Sequence, residues 1–418
     1  MRKLIVGMCL ALLVSSCAAP SRTGRFARSG GMEPNIRALL DEGAQSYRIT
    51  ADDGVVVRAA GGVKILESAG PSTVLVRADG SALRVTIEPD GSVGAVDGEV
   101  IIEPRSRSVL SFKRVRYAGS FIVRPSGDDA LMVVNLLSME RYLEGVLPHE
   151  MGDPGADGYD ALKTQAVAAR TYALGKVQSR KDQPFDVYAS VQDQVYRGLE
   201  GNNKVASAAV RDTRGRIVGY DGEPIRAYYS ACCGGHTSDI RQVWPTREPA
   251  AYLHGVPDRD RRENREFCRE NRYFRWRYSF TGKELGKILR VTIPRQLLVD
   301  EEEVGALKDI RIEERSHSGR VVKLAIETTT DTFIITGDPI RWFLVTDTSQ
   351  GRILPSVMFR LDKVMERDRI AFVSISGGGN GHGVGMCQNG AISMSKKGYT
   401  YKMILSHYYP GCTVERAY

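Results

Sequence analysis

Short segments in which apolar and polar residues alternate fill the N-terminal part of the chain. Turn triplets ADG, PDG and VDG separate several of these segments, which are VVVRA (55–59), GVKIL (62–66), TVLVR (73–77), ALRVTIE (82–88) and EVIIE (99–103). A period of two residues between turn signals is typical of antiparallel strands. The pattern therefore predicts a small β-rich domain over residues 46–124.

The period changes after residue 131. The run LMVVNLL (131–137) predicts a buried strand, and Ser138 then precedes apolar residues spaced as on a helix. We expect this helix to end at Pro148. A second helix is predicted from about Asp160 to Ser179, where small and apolar side chains form one stripe.

Alternating segments return between residues 304 and 345, including VVKLAIETTTDTFIITG at 321–337. We interpret them as a β-rich insertion or subdomain at about 280–350. The whole pattern predicts an α+β fold, with a β-rich N-terminal domain followed by a mixed α+β domain over residues 125–418.

The first residues are typical of an export signal, because Arg2 and Lys3 precede an apolar stretch from Leu4 to Val14. The following VSSC resembles a bacterial lipobox. That resemblance implies that residues 1–16 are removed and that Cys17 is acylated. An ordinary signal peptide with a coincidental cysteine is the alternative.

Residues 17–45 are rich in Ser, Gly, Arg and Ala without any period, which favours a flexible tether between lipid and fold. Ala18 stands where retention at the inner membrane usually shows Asp. We therefore expect an exported bacterial lipoprotein, held to the periplasmic face of the outer membrane in a cell that has one.

With 43 Gly and 17 Pro among 418 residues, the composition excludes collagen-like and low-complexity classes. The 58 basic and 50 acidic residues are too evenly mixed for a disordered chain. Beyond the first residues no apolar run is long enough to span a bilayer. The mature protein is therefore expected to be soluble or tethered.

Five ordered blocks cover much of residues 125–418. They are YLEGVLPHEM (142–151), ALKTQAVAARTYAL (161–174), QDQVYRG (192–198), GGHT (234–237) with VW (243–244), and GHGVGMCQNGA (381–391) with HYYPG (407–411). Together they resemble the SpoIID/LytB domain of bacterial cell-wall proteins, a sporulation-related family. The resemblance implies a lytic transglycosylase, which cuts the MurNAc–GlcNAc β-1,4 linkage of peptidoglycan without water and leaves 1,6-anhydro-MurNAc ends, here on glycan that lacks stem peptides.

A reaction of this kind needs one carboxyl group, because the muramic C6 hydroxyl supplies the nucleophile. Glu150 matches the position of the family's catalytic glutamate. Its place just past Pro148 predicts a partly buried carboxylate that projects from a helix end into a cleft. A solvated or ion-paired loop acid is the alternative. Glu144, six residues earlier, is expected to be solvated.

Side chains from several blocks are candidates for lining a glycan groove. They are Gln165, Arg170, Tyr172, Tyr196, His382 and Gln388. Amide and guanidinium groups bind hydroxyls and carboxylates, and aromatic rings stack on sugar faces. A structural role is the alternative for each of them, and Arg170 in particular is a candidate partner for a buried acid such as Asp193.

The cysteines leave two chemistries open. Cys233 and His236 have Cys-x2-His spacing, and Cys268 or Cys387 is available to complete a structural zinc site. Some relatives in the resembled family bind zinc near this block, although the reaction itself requires no cofactor. A disulfide between Cys233 and Cys268, or between Cys232 and Cys387, is the alternative in an oxidising compartment.

Two other functions remain open. Some members of the resembled family are described as enhancers of cell-wall amidases, so a non-catalytic activator that docks on an amidase is the first alternative. The second is a thiol enzyme that uses Cys387 as nucleophile with His382 or His407 as base.

The segment from Arg259 to Arg277 is rich in arginine and aromatic side chains. Such a mixture also occurs in nucleic-acid-binding proteins. Because the chain carries an export signal, we expect no nucleic-acid partner. An anionic cell-wall polymer or a solvated helix face is favoured instead, beside peptidoglycan glycan strands and the membrane to which Cys17 is anchored.

Overall fold

A computed structural model describes residues 31–418 except residues 81, 107, 128 and 347–350. The expected signal peptide and Cys17 lie outside the described residues. The described chain divides into two compact units, a first unit of residues 31–227 with 413–418 and a second unit of residues 228–412. None of the helices in the described ranges has the length and apolar character needed to cross a membrane.

Two β-sheets form most of the first unit. Their strands are β1 (Asn35–Ala44), β2 (Ser46–Ala51), β3 (Val55–Ala59), β4 (Lys64–Ser68), β5 (Ser72–Asp79), β6 (Ala82–Glu88), β7 (Ser92–Asp97), β8 (Val100–Pro104), β9 (Leu110–Phe112), β10 (Val115–Tyr117), β11 (Ser120–Gly127), β12 (Ala130–Ser138) and β13 (Val187–Tyr188). The strand order is β13-β1-β12-β11-β8-β3-β4 in one sheet and β10-β9-β2-β5-β6-β7 in the other. Alternate residues of β6, Leu83, Val85 and Ile87, are fully buried, as the alternation predicts.

Helices and a small sheet complete the first unit. The elements are α1 (Met139–Met151), a 3-10 turn (Ala156–Gly158), α2 (Tyr159–Ser179), α3 (Lys204–Asp212), β14 (Arg216–Tyr220) and β15 (Glu223–Pro224), with the C-terminal strand Thr413–Arg416 paired to β14. The helix predicted from about Asp160 is confirmed by α2. The predicted end of α1 at Pro148 is wrong, because the helix continues to Met151 and ends at Gly152 with a φ of 63°. Proline lacks the N–H that a helix interior uses, but the Pro148 carbonyl still accepts from the N–H of Gly152, which closes the last turn.

Two predicted domain limits are corrected by β1 and β11. Residues 35–44 of the predicted tether form β1, which is paired antiparallel with β12 and parallel with β13. Its residues Ile36 and Ala38 are completely buried, and this burial holds the segment in the sheet. The predicted limit between residues 124 and 125 falls inside β11, whose partners are β8 and β12. The N-terminal strands and β12 therefore share one sheet.

The second unit mixes short strands with five helices among its described residues. The strands are β16 (Tyr229–Ser230), β17 (Arg259–Asp260), β18 (Arg265–Glu266), β19 (Trp276–Thr281), β20 (Leu307–Arg315), β21 (Val321–Thr328), β22 (Thr332–Thr336), β23 (Phe359–Glu366), β24 (Arg369–Gly377) and β25 (Met386–Cys387). The helices are α4 (Ile240–Val243), α5 (Gly282–Leu297), α6 (Ile340–Phe343), α7 (Gln388–Lys396) and α8 (Tyr401–Tyr408), with 3-10 turns at Ala251–Leu253 and Glu301–Glu303.

A shared apolar core joins α5 to the sheets β19-β24-β23 and β20-β21-β22. Leu285 of α5, Ile326 of β21 and Ile375 of β24 are all fully buried in it. The predicted limits of the subdomain, about 280–350, are therefore too narrow, because strands β23 and β24 share its core. The subdomain is also partly helical. Helix α5 starts with a capping box in which Thr281 and Glu284 each bond the other's backbone N–H. The α+β class is confirmed.

Candidate functional site

Glu150 lies in the last turn of α1, and its side chain is half-buried. Its Oε1 accepts a hydrogen bond from the backbone N–H of Val195 at 2.9 Å. Val195 belongs to the segment that follows β13 and passes the end of α1. A main-chain donor fixes the carboxylate more firmly than a flexible side chain would, and it stabilises the ionised form. The negative end of the helix dipole acts in the opposite direction.

A buried polar network fixes the position of Val195. The Tyr142 hydroxyl donates to Oε1 of Gln194 at 3.1 Å, and Nε2 of Gln194 donates to the carbonyl of Ala169 at 3.3 Å. Gln194 therefore ties the segment to both α1 and α2. Burial, and after it the negative charge of Glu150, raises the pKa of Tyr142 well above its usual value. Tyr142 therefore remains a neutral donor.

Tyr196 is packed inside the first unit and does not line a groove. It is 3% exposed, its hydroxyl donates to Oδ1 of Asn135 at 2.6 Å, and its ring lies 4.9 Å from that of Tyr142. The close approach depends on Gly145, since a Cβ there would lie 2.4 Å from the carbonyl oxygen of Gly198. The predicted contact of Tyr196 with a sugar is wrong, because packing against α1 encloses the ring.

Arg170 is fully buried and forms an ion pair with Glu140 through two hydrogen bonds of 2.8 and 2.7 Å. It also donates to the carbonyl of Arg216 at 3.0 Å. The predicted sugar contact is therefore wrong. The alternative, a partner for a buried acid, is right in kind, but the acid is Glu140 and not Asp193. Gln165 is also fully buried, so its predicted sugar contact is wrong for the same reason.

Tyr172 is half-exposed, and its hydroxyl donates to Oδ1 of Asp193 at 2.6 Å. Lys176 and Arg180 form ion pairs with the same carboxylate at 2.5 and 3.1 Å. Burial would raise the pKa of Asp193, but the bonds from Lys176 and Tyr172 outweigh it and lower that pKa. Of the predicted groove residues in this unit, Tyr172 alone presents an accessible ring, and its contact with a sugar stays a prediction. Glu144, expected to be solvated, is buried beside Arg141.

His382 and Gln388 belong to the second unit, whereas Glu150 belongs to the first. The half-buried His382 ring lies 4.9 Å from that of Trp244 and 6.2 Å from that of Tyr228. Desolvation, and after it the charge of Arg341, lowers the pKa of His382 to about 3, so the ring is neutral near pH 7. Gln388 is 6% exposed at the start of α7, which contradicts its predicted sugar contact.

Three cysteines and one aspartate meet in the interior of the second unit. The Sγ atoms of Cys233, Cys268 and Cys387 and a carboxylate oxygen of Asp258 all lie within 4.8 Å of one another. All four residues are buried, and the cysteines are free thiols. The predicted disulfides are therefore not formed. The predicted ligand His236 is not part of this cluster, and its Nδ1 bonds the carbonyl of Thr237 at 2.6 Å.

Backbone and side-chain donors converge on the same cluster. Cys387 Sγ accepts from the N–H of Cys233 at 3.2 Å and from that of Gly390 at 3.4 Å. The Tyr408 hydroxyl donates to Oδ1 of Asp258 at 2.6 Å, and Cys233 Sγ lies 3.1 Å from Oδ2. Burial raises the pKa of Asp258 to about 8. The sequence does not identify Asp258 as a candidate ligand, because an aspartate between GGHT and the Arg-rich segment has no metal-site spacing.

The same burial contradicts a thiol nucleophile at Cys387. Its side chain is completely buried, and desolvation raises the pKa of the thiol well above its usual value. A nucleophilic cysteine needs access to substrate and a low pKa.

Parts of this chain match known families and known proteins in sequence. Residues 127–220 match the family described as Stage II sporulation protein, and residues 241–385 match a Domain of unknown function (DUF8618). An uncharacterised protein of Brachyspira hyodysenteriae is 33% identical over 353 residues, which is 84% of each chain. The Bacillus subtilis protein named Amidase enhancer is 28% identical over 65% of this chain and 40% of its own length. Stage II sporulation protein D of Bacillus subtilis is 25% identical over 79% of this chain and 88% of its own.

Proposed function

This chain belongs to the SpoIID/LytB family, and from that membership we propose that it is a peptidoglycan lytic transglycosylase with Glu150 as its acid and base. The observation that carries the proposal is the half-buried Glu150 carboxylate, held by the Val195 N–H at the end of α1. Glu150 also lies in the part of the chain that matches the family.

The proposed reaction needs one carboxyl group and no water. Protonated Glu150 gives its proton to the glycosidic oxygen, and the bond between MurNAc C1 and that oxygen breaks. The C6 hydroxyl oxygen of the same MurNAc then bonds C1 and returns a proton to the Glu150 carboxylate. The products are a 1,6-anhydro-MurNAc end and a GlcNAc 4-hydroxyl, and Glu150 is regenerated.

The test is digestion of purified glycan without stem peptides, followed by mass spectrometry of the products. Anhydro-MurNAc products are expected from the parent chain and not from Glu150→Gln. The matched control is Glu200→Gln, since Glu200 is an exposed carboxylate on the segment after β13 that also carries Val195 and passes the end of α1, here called the covering segment. Undiminished product from Glu150→Gln, or none from the parent chain, would falsify the catalytic proposal.

A second candidate function is activation of a cell-wall amidase, and the similarity to the protein named Amidase enhancer favours it. An activator needs a docking surface but no acid. If the chain is an activator, the parent chain and Glu150→Gln should increase equally the rate at which an amidase releases stem peptides. Stimulation that disappears with Glu150→Gln would favour the lytic reaction instead.

We also propose that the cysteine cluster holds a structural zinc ion through Cys233, Cys268, Cys387 and Asp258. A tetrahedral zinc with Zn–S bonds of about 2.3 Å separates its sulfur ligands by roughly 3.8 Å, and the Sγ atoms of Cys233 and Cys268 lie 3.8 Å apart. The bound ion would brace the loops that carry these residues and take no part in the reaction.

Metal analysis of the purified full chain tests the zinc proposal directly. About one zinc per chain is expected, with a loss of metal and a lower melting temperature for Cys268→Ser. Cys412→Ser is the matched control, because Cys412 is a partly exposed thiol outside the cluster. A metal-free parent chain with unchanged melting temperature in chelator would rule the ion out.

We further propose that the chain is exported and that a lipid on Cys17 anchors it to a membrane. They would place the chain beside peptidoglycan. Metabolic labelling with a palmitate analogue is expected to mark the parent chain and not Cys17→Ala, and label on both would contradict acylation at this residue.

A further inference from the structure

Four arginines border a pocket of about 1010 Å³ in the second unit. They are Arg275, Arg277, Arg315 and Arg360. All four are exposed, and in the part of the chain that the structure describes none of them forms an ion pair. Asp362 is the one acid in the described lining, so the pocket carries a net positive charge.

Two of these cations are placed by strand register. Arg277 of β19, Ser376 of β24 and Arg360 of β23 occupy one cross-strand row. Residues directly opposite each other in a sheet point to the same face. Nε of Arg277 donates to Oγ of Ser376 at 3.0 Å, so a hydroxyl lies between the two guanidinium groups.

The other two cations donate to backbone carbonyl oxygens. Arg315 donates to the carbonyl of Gly319 at 2.6 Å, and Arg275 donates to the carbonyl of Gly234 at 3.1 Å. Desolvation, and after it the positive charge of Arg360, lowers the pKa of Arg315. Arg315 therefore experiences the positive charge of Arg360, and a bound anion would offset that repulsion.

Trp276 and two glycines give the pocket a shaped wall. Nε1 of Trp276 donates to the carbonyl of Gly379 at 2.9 Å, which orients the indole. A Cβ at Gly377 would lie 2.4 Å from the Trp276 ring, and one at Gly378 would lie 2.8 Å from Nη1 of Arg275. The indole and the guanidinium therefore occupy space that only glycine leaves open. Guanidinium donors beside this wall suit a ligand that carries an acidic group.

We propose that this pocket binds glycan strands through the free lactyl carboxylates of their MurNAc residues. In a strand with stem peptides, the lactyl carbonyl is part of a neutral amide, and hydrolysis of that amide leaves one carboxylate on each MurNAc. Guanidinium groups bind carboxylates with two parallel hydrogen bonds. The inference deepens the proposed function and rests on it, since it explains how the chain would select glycan that lacks stem peptides. It also gives a role to residues 241–385, which match a domain of unknown function.

The experiment measures equilibrium binding of fluorescent oligosaccharides to the full chain carrying Glu150→Gln, so that cleavage cannot interfere. The three probes are glycan without stem peptides, glycan with them, and neutral chitooligosaccharide of equal length. Glycan without stem peptides is expected to bind at least about tenfold more tightly than either other probe, with an affinity that falls as salt rises.

Substitutions in the pocket lining test whether the glycan binds there. Arg277→Gln with Arg360→Gln is expected to weaken binding of glycan without stem peptides about tenfold to a hundredfold, because each variant removes a charged hydrogen-bond donor. Arg272→Gln is the matched control. Arg272 is an exposed arginine of the same segment that lies over the Tyr273 ring and outside the pocket lining.

Equal binding of all three probes, or unchanged binding by the double variant, would overturn the inference. Arginine-dependent binding of inorganic tripolyphosphate without binding of the glycan would overturn it in favour of a phosphate site. Failure of the catalytic proposal looks different, since the unsubstituted chain would then bind selectively and release no anhydro products.

Discussion

Arg170 and Glu140 form a two-pronged ion pair that joins α1 to α2 inside the first unit, with Nε to Oε1 at 2.8 Å and Nη2 to Oε2 at 2.7 Å. The hydroxyl of Tyr418 also donates to Oε1 of Glu140 at 2.6 Å. Burial would raise the pKa of Glu140, but the bonds from Arg170 outweigh it and lower that pKa. The ionised pair therefore ties the end of the chain to the helix that carries Glu150.

Replacing Arg170 by Met should destabilise the first unit by about 3–5 kcal/mol, because it leaves the Glu140 carboxylate buried without its counter-charge. Urea unfolding, followed by far-UV circular dichroism, measures the change in the free energy of unfolding. Arg84→Met is the matched control, since Arg84 and Asp79 form an ion pair whose side chains are 61% and 55% exposed, and such pairs contribute less than about 1 kcal/mol. Similar losses for the two variants would show that the buried pair adds nothing.

Local patterns in the sequence were enough to place α2, the alternating strands and the start of α1, but not the last turn of α1, which carries Glu150. They failed at β1 because two register shifts, between Leu39 and Asp41 and between Glu42 and Ala44, interrupt its alternation. A strand with such bulges has no period-two pattern to detect.

Contacts between residues that are distant in the sequence could not be predicted either. Arg170 and Gln165 lie on a helix that is enclosed on several sides, so helical periodicity alone could not separate groove from core. The cluster of Asp258 with three cysteines combines residues up to 154 positions apart, as the Cys233–Cys387 contact shows. Only the packing of the second unit brings them together.

Gln194→Ala should impair the proposed reaction without removing Glu150. The variant breaks the bonds to Tyr142 and Ala169 that hold the neighbouring Val195 N–H on the Glu150 carboxylate. We expect kcat to fall about tenfold or more with little change in KM. The alkaline limb of the pH–rate profile should move to higher pH, because a donor to the ionised carboxylate is lost and Glu150 stays protonated to a higher pH. The exposed Gln192→Ala is the control. A fall in stability alone, with an unmoved pH profile, would assign Gln194 a purely structural role.

His382 should make the second unit less stable in acid. Its pKa in the folded chain is about 3, below the usual 6.5, because desolvation and Arg341 disfavour the imidazolium. A lowered pKa gives stability that is complete above about pH 6.5 and is lost as the pH falls towards 3, by at most about 1.4 kcal/mol per pH unit. Unfolding between pH 7 and pH 4 is expected to be less pH-dependent for His382→Gln. An imidazole NMR resonance of His382 that titrates near 6.5 in the folded chain would contradict this.

Gly145→Ala tests whether the covering segment must lie directly on α1. The added Cβ would meet the carbonyl oxygen of Gly198 at 2.4 Å and the Tyr196 ring at 2.6 Å, so the segment has to move outward. We expect a loss of about 1–3 kcal/mol in unfolding free energy. The loss of lytic activity should exceed the fraction unfolded, because Val195 moves with Tyr196. Gly175→Ala on α2 is the matched control, since nothing lies within 4 Å of its Cβ and alanine favours a helix by about 0.5–1 kcal/mol. If both alanine variants keep full activity and stability, the segment does not depend on contact with α1, and Glu150 is positioned by α1 alone.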